Sequence, residues 1–248
     1  MKAWVGTSGW QYSSWQGKFY PESLKSEEFL SFYCEHFNTV EINTSFYHLT
    51  KKSTFEKWYQ KVQGKEFLFA VKLYRLFTHF RKLKLQKGDE KVLAQFLENC
   101  AALKESLGPI LIQLPPSFKD QKALSKFLKK VKTFSKKIFK KMPRWAVEIR
   151  HPNLLNLSFY QILKKEKIVF VISDSPRWPT DFVKTTETVY IRFHGKPKLF
   201  ASKYSKEQLK EFAQKLKKLK PKVLFAYFNN DFEGHALENA KEFKRLMG

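Results

Sequence analysis

Eight short runs of β-branched and aromatic residues alternate with stretches of 3.6-residue periodicity along 248 residues. Together these observations predict an α/β fold, a single (β/α)8 TIM-type barrel. Strict alternation makes the sheet parallel, and eight units in about 250 residues is the size of a closed barrel. An open doubly wound sheet is the alternative, but no Gly-x-Gly-x-x-Gly follows the first strand. No internal repeat, Gly/Ser linker or shift in composition divides the chain, so residues 1–248 read as one domain.

The predicted strands are Ala3–Thr7, Thr39–Asn43, Phe67–Lys72, Ile110–Leu114, Trp145–Arg150, Ile168–Asp174, Val189–His194 and Val223–Asn229. Between them lie predicted helices at Ser26–His36, Ser53–Val62, Asp89–Leu107, Gln121–Lys137, Leu154–Glu166, Ser205–Leu219 and His235–Met247. Ser26, Ser53 and Ser205 look like N-caps, the last two with capping-box spacing to Glu56 and Gln208. Gly64, Gly108 and the Gly195-Lys196-Pro197 turn punctuate other ends. Ser175 to Thr188 carries two prolines and no helical pattern, so the sixth crossover is expected to be a loop or a single turn.

Composition narrows the class. Hydrophobic residues make up 43% and aromatics 17%, too many for a disordered chain. No apolar stretch approaches the roughly 18 residues of a membrane span, and Met1–Gly6 resembles a strand rather than a targeting segment. A cytoplasmic protein with no membrane partner is expected. Cys34 and Cys100 sit at the spacing of buried helix stripes, where cysteine acts as a small hydrophobe. Lys+Arg 47 against Asp+Glu 23 leaves a net charge of +24, which attracts polyanions. Lys119 to Arg144 holds ten lysines and one arginine against Asp120 alone, on a segment with helical periodicity. A solvated basic exterior and a nucleic-acid footprint both remain open readings of that pattern.

Strand alternation locates the chemistry. Val40 and Ile42, Val147 and Ile149, and Val189, Ile191 and Phe193 suit the helix layer, so Glu41 and Asn43, Glu148 and Arg150, and Arg192 and His194 should point inward near the C-terminal rim. Lys72, Gln113, Asp174, Asn229 and Asp231 join them from the remaining strand ends. So many charges inside a barrel must pair with each other, hold water or meet a ligand. Glu148 and His194 are the candidates for proton transfer, with Glu41 and Asp174 in support. Glu148, Asp174 and His194 also form a mixed oxygen and nitrogen set for a divalent metal, although no His-x-x-x-His or Cys-x-x-Cys spacing backs it. Lys72, Arg150 and Arg192 suit a phosphate or carboxylate. Asn43, Gln113, Asn229 and Asn230 would orient polar groups.

Two loops extend the set. Gly6-Thr7-Ser8-Gly9 lets backbone N–H groups approach a ligand or simply makes a tight turn. Asn229-Asn230-Asp231 leads into the last helix, where barrels often bind phosphate. Trp10, Tyr12, Trp15, Phe46 and Tyr47 form an aromatic rim over a base or sugar, or pack the loops. No P-loop, Gly-x-Ser-x-Gly elbow or zincin motif is present.

Several of these segments carry a resemblance. Gly6-Thr7-Ser8-Gly9-Trp10 with Tyr12 and Trp15, Phe37-Asn38-Thr39-Val40-Glu41-Ile42-Asn43-Thr44-Ser45-Phe46-Tyr47, and Phe69-Ala70-Val71-Lys72 with Thr78-His79 resemble the YecE-like family, domain of unknown function 72. So do Gln113-Leu114-Pro115-Pro116, Glu148-Ile149-Arg150-His151-Pro152, Ser173-Asp174-Ser175, Tyr190-Ile191-Arg192-Phe193-His194-Gly195 and Tyr227-Phe228-Asn229-Asn230-Asp231. The resemblance spans nearly the whole chain. It implies a barrel of the type shared with sugar isomerases and abasic-site endonucleases, and it assigns no residue a catalytic role.

The function expected first is an enzyme that hydrolyses or isomerises a phosphorylated or sugar-containing substrate. A nucleic-acid binder or nuclease-like protein is the second reading, and a non-catalytic binder of a small anionic metabolite is the third.

Overall fold

The computed structural model describes residues 1–248. In chain order the elements are β1 (Lys2–Thr7), α1 (Phe29–His36), β2 (Thr39–Ile42), α2 (Thr44–Tyr47), α3 (Lys52–Val62), β3 (Leu68–Lys72), α4 (Asp89–Ala101), β4 (Leu107–Gln113), α5 (Gln121–Ile138), β5 (Trp145–Glu148), α6 (Leu157–Lys165), β6 (Val169–Asp174), β7 (Thr188–Phe193), α7 (Lys206–Lys218), β8 (Val223–Phe228) and α8 (His235–Met247). The eight strands follow the order β1-β8-β7-β6-β5-β4-β3-β2. Their pairings are parallel, and a parallel Ser8–Glu41 bridge joins the ends of β1 and β2. This is the topology of a (β/α)8 TIM-type barrel. No helix separates β6 from β7, as the two prolines of that segment predict.

The chain forms two compact units, residues 1–41 with 170–248, and residues 42–169. In the first, Phe193 of β7 and Phe228 of β8 face the helices. Phe193 stacks on Phe228 with ring centroids 4.3 Å apart, and Phe212 of α7 and Phe243 of α8 meet Phe193 edge-on at 5.1 Å. Such pairs add about 0.5–1.5 kcal/mol each beyond the area they bury. Gly6 allows β1 to run close to β2, because a Cβ there would lie 2.0 Å from the Thr39 carbonyl oxygen. In the second unit, α5 turns Leu124, Phe127, Leu128 and Val131 inward and its lysines outward. Ser135 of the same helix accepts the indole N–H of Trp145 at 3.1 Å, fixing the outward face of β5.

Local signals explain most helix starts. Ser205 and Gln208 form the expected capping box. Asp120 and Asn156 cap α5 and α6 through the amides of Ala123 and Phe159. Ser53 does not cap, because α3 begins one residue earlier at Lys52. Ser26 opens a short 3-10 turn in which the Glu28 carboxylate accepts the Lys25 amide. Cys100 is buried as expected, and burial pushes its thiol pKa up. Cys34 is only half-buried, with its thiol on the Ser31 carbonyl.

Candidate functional site

In the first unit the inward residues of β7 converge on Glu41. Arg192 Nη2 donates to Glu41 Oε1 at 2.7 Å, Ser8 Oγ donates to the same oxygen at 2.7 Å, and Tyr190 OH donates to Oε2 at 2.5 Å. All of these side chains are buried. Burial first, and then the Glu41 charge, hold the Tyr190 phenol well above its ordinary pKa, so it stays a donor. Glu41 is therefore an anchored carboxylate whose acceptor sites are largely taken.

His194 is fully buried above this layer, edge-on to Trp178 and Phe200. The Asn229 amide nitrogen lies 3.2 Å from His194 Nδ1.

Asp174 takes a position other than the inward one expected. Register pairs it with Phe193, and Phe193 with Phe228, so it shares their helix-facing side while Ser173 lies in line with Arg192. There it accepts from Lys196 Nζ at 2.7 Å and from Tyr204 OH at 2.6 Å. Asp174 thus tethers the segment after β7. β6 reads Val-Phe-Val-Ile-Ser-Asp without polar alternation, so its parity is silent in the sequence.

Asn230 also turns away from the inward face. Its amide donates to the Ser202 carbonyl and to Asn239 Oδ1, both at 2.9 Å, and ties the loop to α8. Asp231 accepts the Trp15 indole N–H at 2.7 Å, and burial raises its carboxyl to a pKa of about 6. A group in that range suits proton transfer better than anion binding. Trp10 is buried and accepts Tyr20 OH on its carbonyl, while Tyr12 bonds the Ser8 carbonyl and leans on Trp15. These rings pack the loop after β1 rather than forming an exposed rim.

The second unit gathers the remaining residues. Gln113 and Glu148 are register partners, and Lys72 pairs with Leu111 two residues before Gln113, so all three share one sheet face. Glu148 is fully buried and accepts from Arg150 Nε at 2.6 Å. Lys72 Nζ sits 4.0 Å over the Phe46 ring, a cation–π contact, and Ser45 Oγ holds the Lys72 carbonyl at 2.7 Å. Gln113 Nε2 donates to the Leu114 carbonyl. Asn43 Oδ1 is buried with no hydrogen-bond partner at the start of α2. Tyr47 is 59% exposed under the Arg75 guanidinium.

Two functional candidates escape the strand-based reading. A π-type turn at Leu76–Phe80 follows β3 and carries His79, with Arg75 just before it. His79 meets the Phe46 ring edge-on at 4.8 Å, and its Nδ1 bonds Thr78 Oγ1 at 2.8 Å. Burial and the positive charges of Lys72, Arg150 and Arg75 lower its pKa to about 4, against a smaller opposing effect of Glu148. His79 is thus neutral at pH 7 amid three cations and one carboxylate. Their only sequence signal was Thr78-His79, a match to the family resemblance without a periodic element around it.

No group of three His, Cys, Asp or Glu side chains takes up metal-holding geometry. Glu148 is engaged by Arg150, and Asp174 by Lys196 and Tyr204. No helix is long and apolar enough to cross a membrane.

Comparison with known proteins agrees with this architecture. UPF0759 protein YunF of Bacillus subtilis (strain 168) is 25% identical, over 98% of this chain and 94% of its own. A DUF72 family protein from Thermotoga maritima MSB8 superposes with a TM-score of 0.85 at 29% identity, covering 100% of this chain and 99% of that one. A D-psicose 3-epimerase shares the fold alone, with a TM-score of 0.59 at 10% identity over 100% of both chains. The family model described as "Protein of unknown function DUF72" matches residues 4–248, and the chain belongs to that family.

Proposed function

We infer that the protein is an enzyme acting on a small phosphorylated or sugar-containing substrate, by hydrolysis or isomerisation. The observation that carries this reading is the cluster at the ends of β3 and β5. There Lys72, Arg75 and Arg150 act on one neutral histidine, with a single buried carboxylate, Glu148, among them. An excess of fixed cations around a buried carboxylate suits an anionic substrate group, with Arg supplying planar paired donors and Lys a point charge. Barrel enzymes keep their chemistry at this end of their strands. The sugar epimerase with the same fold fits the reading, though it lends the fold only.

The roles follow from the geometry. Lys72 and Arg150 hold the anionic group. Glu148, held by Arg150 at 2.6 Å, receives a proton from the substrate. His79, neutral at pH 7, serves as a hydrogen-bonding partner rather than a further charge. The test is a panel of sugar phosphates followed by proton NMR for isomerisation and by phosphate release for hydrolysis. Turnover of one member, lost in Glu148→Gln while binding persists, supports the assignment. Turnover unchanged in Glu148→Gln removes it.

A further inference from the structure

Beyond the β3 turn, the second unit carries a surface whose exposed rings and lysines the small-substrate reading does not use. Arg75 lies between two rings, its guanidinium carbon 5.6 Å from the Tyr47 centroid and 5.3 Å from that of Phe80. Both rings are solvent-facing, Tyr47 at 59% exposure and Phe80 at 61%. Large exposed aromatics beside a cation suit ligands with flat faces.

The chain passes from Phe80 directly into Arg81, Lys82, Leu83 and Lys84. This segment is fixed in place. Asp89, buried at the start of α4, accepts Arg81 Nε and the Gln86 amide, both at 2.8 Å. Lys82 and Leu83 adopt the left-handed backbone region with φ of 47° and 65°, and the Leu83 side chain is buried. Lys84 faces a hollow of 510 Å³ with Lys122 and Lys126 of α5 along its wall and Phe127 in its floor. A second hollow of 330 Å³ shares Lys84 and adds Lys82 and Lys119. The one carboxylate in either hollow, Asp120, is occupied by Lys84 at 3.0 Å and by its cap on Ala123. Lys82, Lys119, Lys122 and Lys126 are exposed and form no ion pair.

We propose that this face binds single-stranded nucleic acid, with bases stacked on Phe80 and Tyr47 and the phosphodiester backbone following Lys82, Lys119, Lys122 and Lys126. Stackable rings next to a row of cations is the combination that single-strand binders use, because every base has a π-face and every linkage a negative charge. An acidic protein would satisfy the lysines but leave the rings without flat partners. A duplex would hide its bases from them. The proposal goes beyond the reading above and stands on different residues.

The test is fluorescence anisotropy with labelled single-stranded DNA and RNA oligonucleotides of about 16 nucleotides and the matching duplex. Wild-type protein is expected to bind single strands more tightly than duplex. Contact with about four phosphates gives a slope near −3 in log K against log salt. Phe80→Ala, an exposed position, should weaken binding about fivefold or more through lost stacking. Lys82→Glu/Lys122→Glu/Lys126→Glu should weaken it about tenfold or more. Lys206→Glu/Lys210→Glu/Lys218→Glu on α7 carries the same charge change and should cost less than about threefold. Equal losses in both triple variants, or duplex bound as tightly as single strands, would overturn the proposal as bulk attraction to a +24 protein. Titration with inorganic phosphate separates the two readings. Phosphate binding that depends on Lys72, without oligonucleotide binding, sinks this proposal alone. Oligonucleotide binding lost in Phe80→Ala, without phosphate binding at Lys72, retains the surface and removes the small-anion site.

Discussion

Arg192 and Glu41 form an ion pair at 2.7 Å with side-chain exposures of 1% and 0%, so a charge from β7 and one from β2 neutralise each other out of water. Removing either partner alone leaves the other charge buried. Glu41→Ala is expected to cost about 3–5 kcal/mol by urea denaturation. The double variant Glu41→Ala/Arg192→Met should cost less than the sum of its parts. Additive losses would mean that the two side chains act independently.

Gly6 makes the approach of β1 to β2 possible, and its absent Cβ is the reason. Gly6→Ala would press a methyl against the Thr39 carbonyl, a backbone atom with no room to yield. A large loss of thermal stability, or failure to accumulate folded protein, is expected. A Tm within a few degrees of wild type would show that the two strands separate easily.

Asp231 makes stability depend on pH in an unusual direction for a carboxylate. Its folded-state pKa is raised from an ordinary 3.8 to about 6. The folded state therefore holds the proton more tightly than the unfolded chain. That contribution is fully present below about pH 4 and is lost as pH rises through 6. Asp231→Asn keeps an acceptor for the Trp15 indole and removes the ionisation. Its Tm should be at or above that of wild type at pH 7, and the gap should close toward pH 4.

His79 behaves oppositely. Its folded pKa is lowered to about 4 from 6.5, so the folded state resists protonation. The contribution is complete above about pH 6.5 and fades as pH falls toward 4. His79→Gln should flatten the Tm profile across that interval. NMR titration of the ring should give a midpoint well below 6, and a midpoint near 6.5 would contradict the crowding by Lys72, Arg150 and Arg75.

The strands were legible because their composition changes sharply. On β7 the sequence Val-Tyr-Ile-Arg-Phe-His alternates visibly, and Tyr190 and Arg192 point as that alternation says. β6 offers no alternation, and the face of Asp174 became clear only from its register with Phe193. Helix starts were legible where the cap is the first polar residue, as at Ser205, and illegible at α3, which begins without a side-chain cap. The site was half visible. Lys72, Glu148 and Arg150 sit at strand ends where a periodic reading looks for them. His79 lies on a π-type turn, with Arg75 just before it, and such a turn has no two- or 3.6-residue period, so their three-dimensional setting discloses them. The tie that Asn230 makes between its loop and α8 was likewise invisible, because its partners Ser202 and Asn239 are remote from it or lie a full helix turn beyond.

Calorimetric titration of inorganic phosphate and of a sugar phosphate into wild-type protein and Lys72→Met tests the central claim most directly. The account predicts saturable binding to wild type and a loss of about tenfold or more in Lys72→Met, as expected for removal of one charge-assisted contact of about 1.5–3 kcal/mol. The Tm of the two proteins should remain similar. No binding to wild type, or equal binding to both proteins, would contradict an anion site at the ends of β3 and β5.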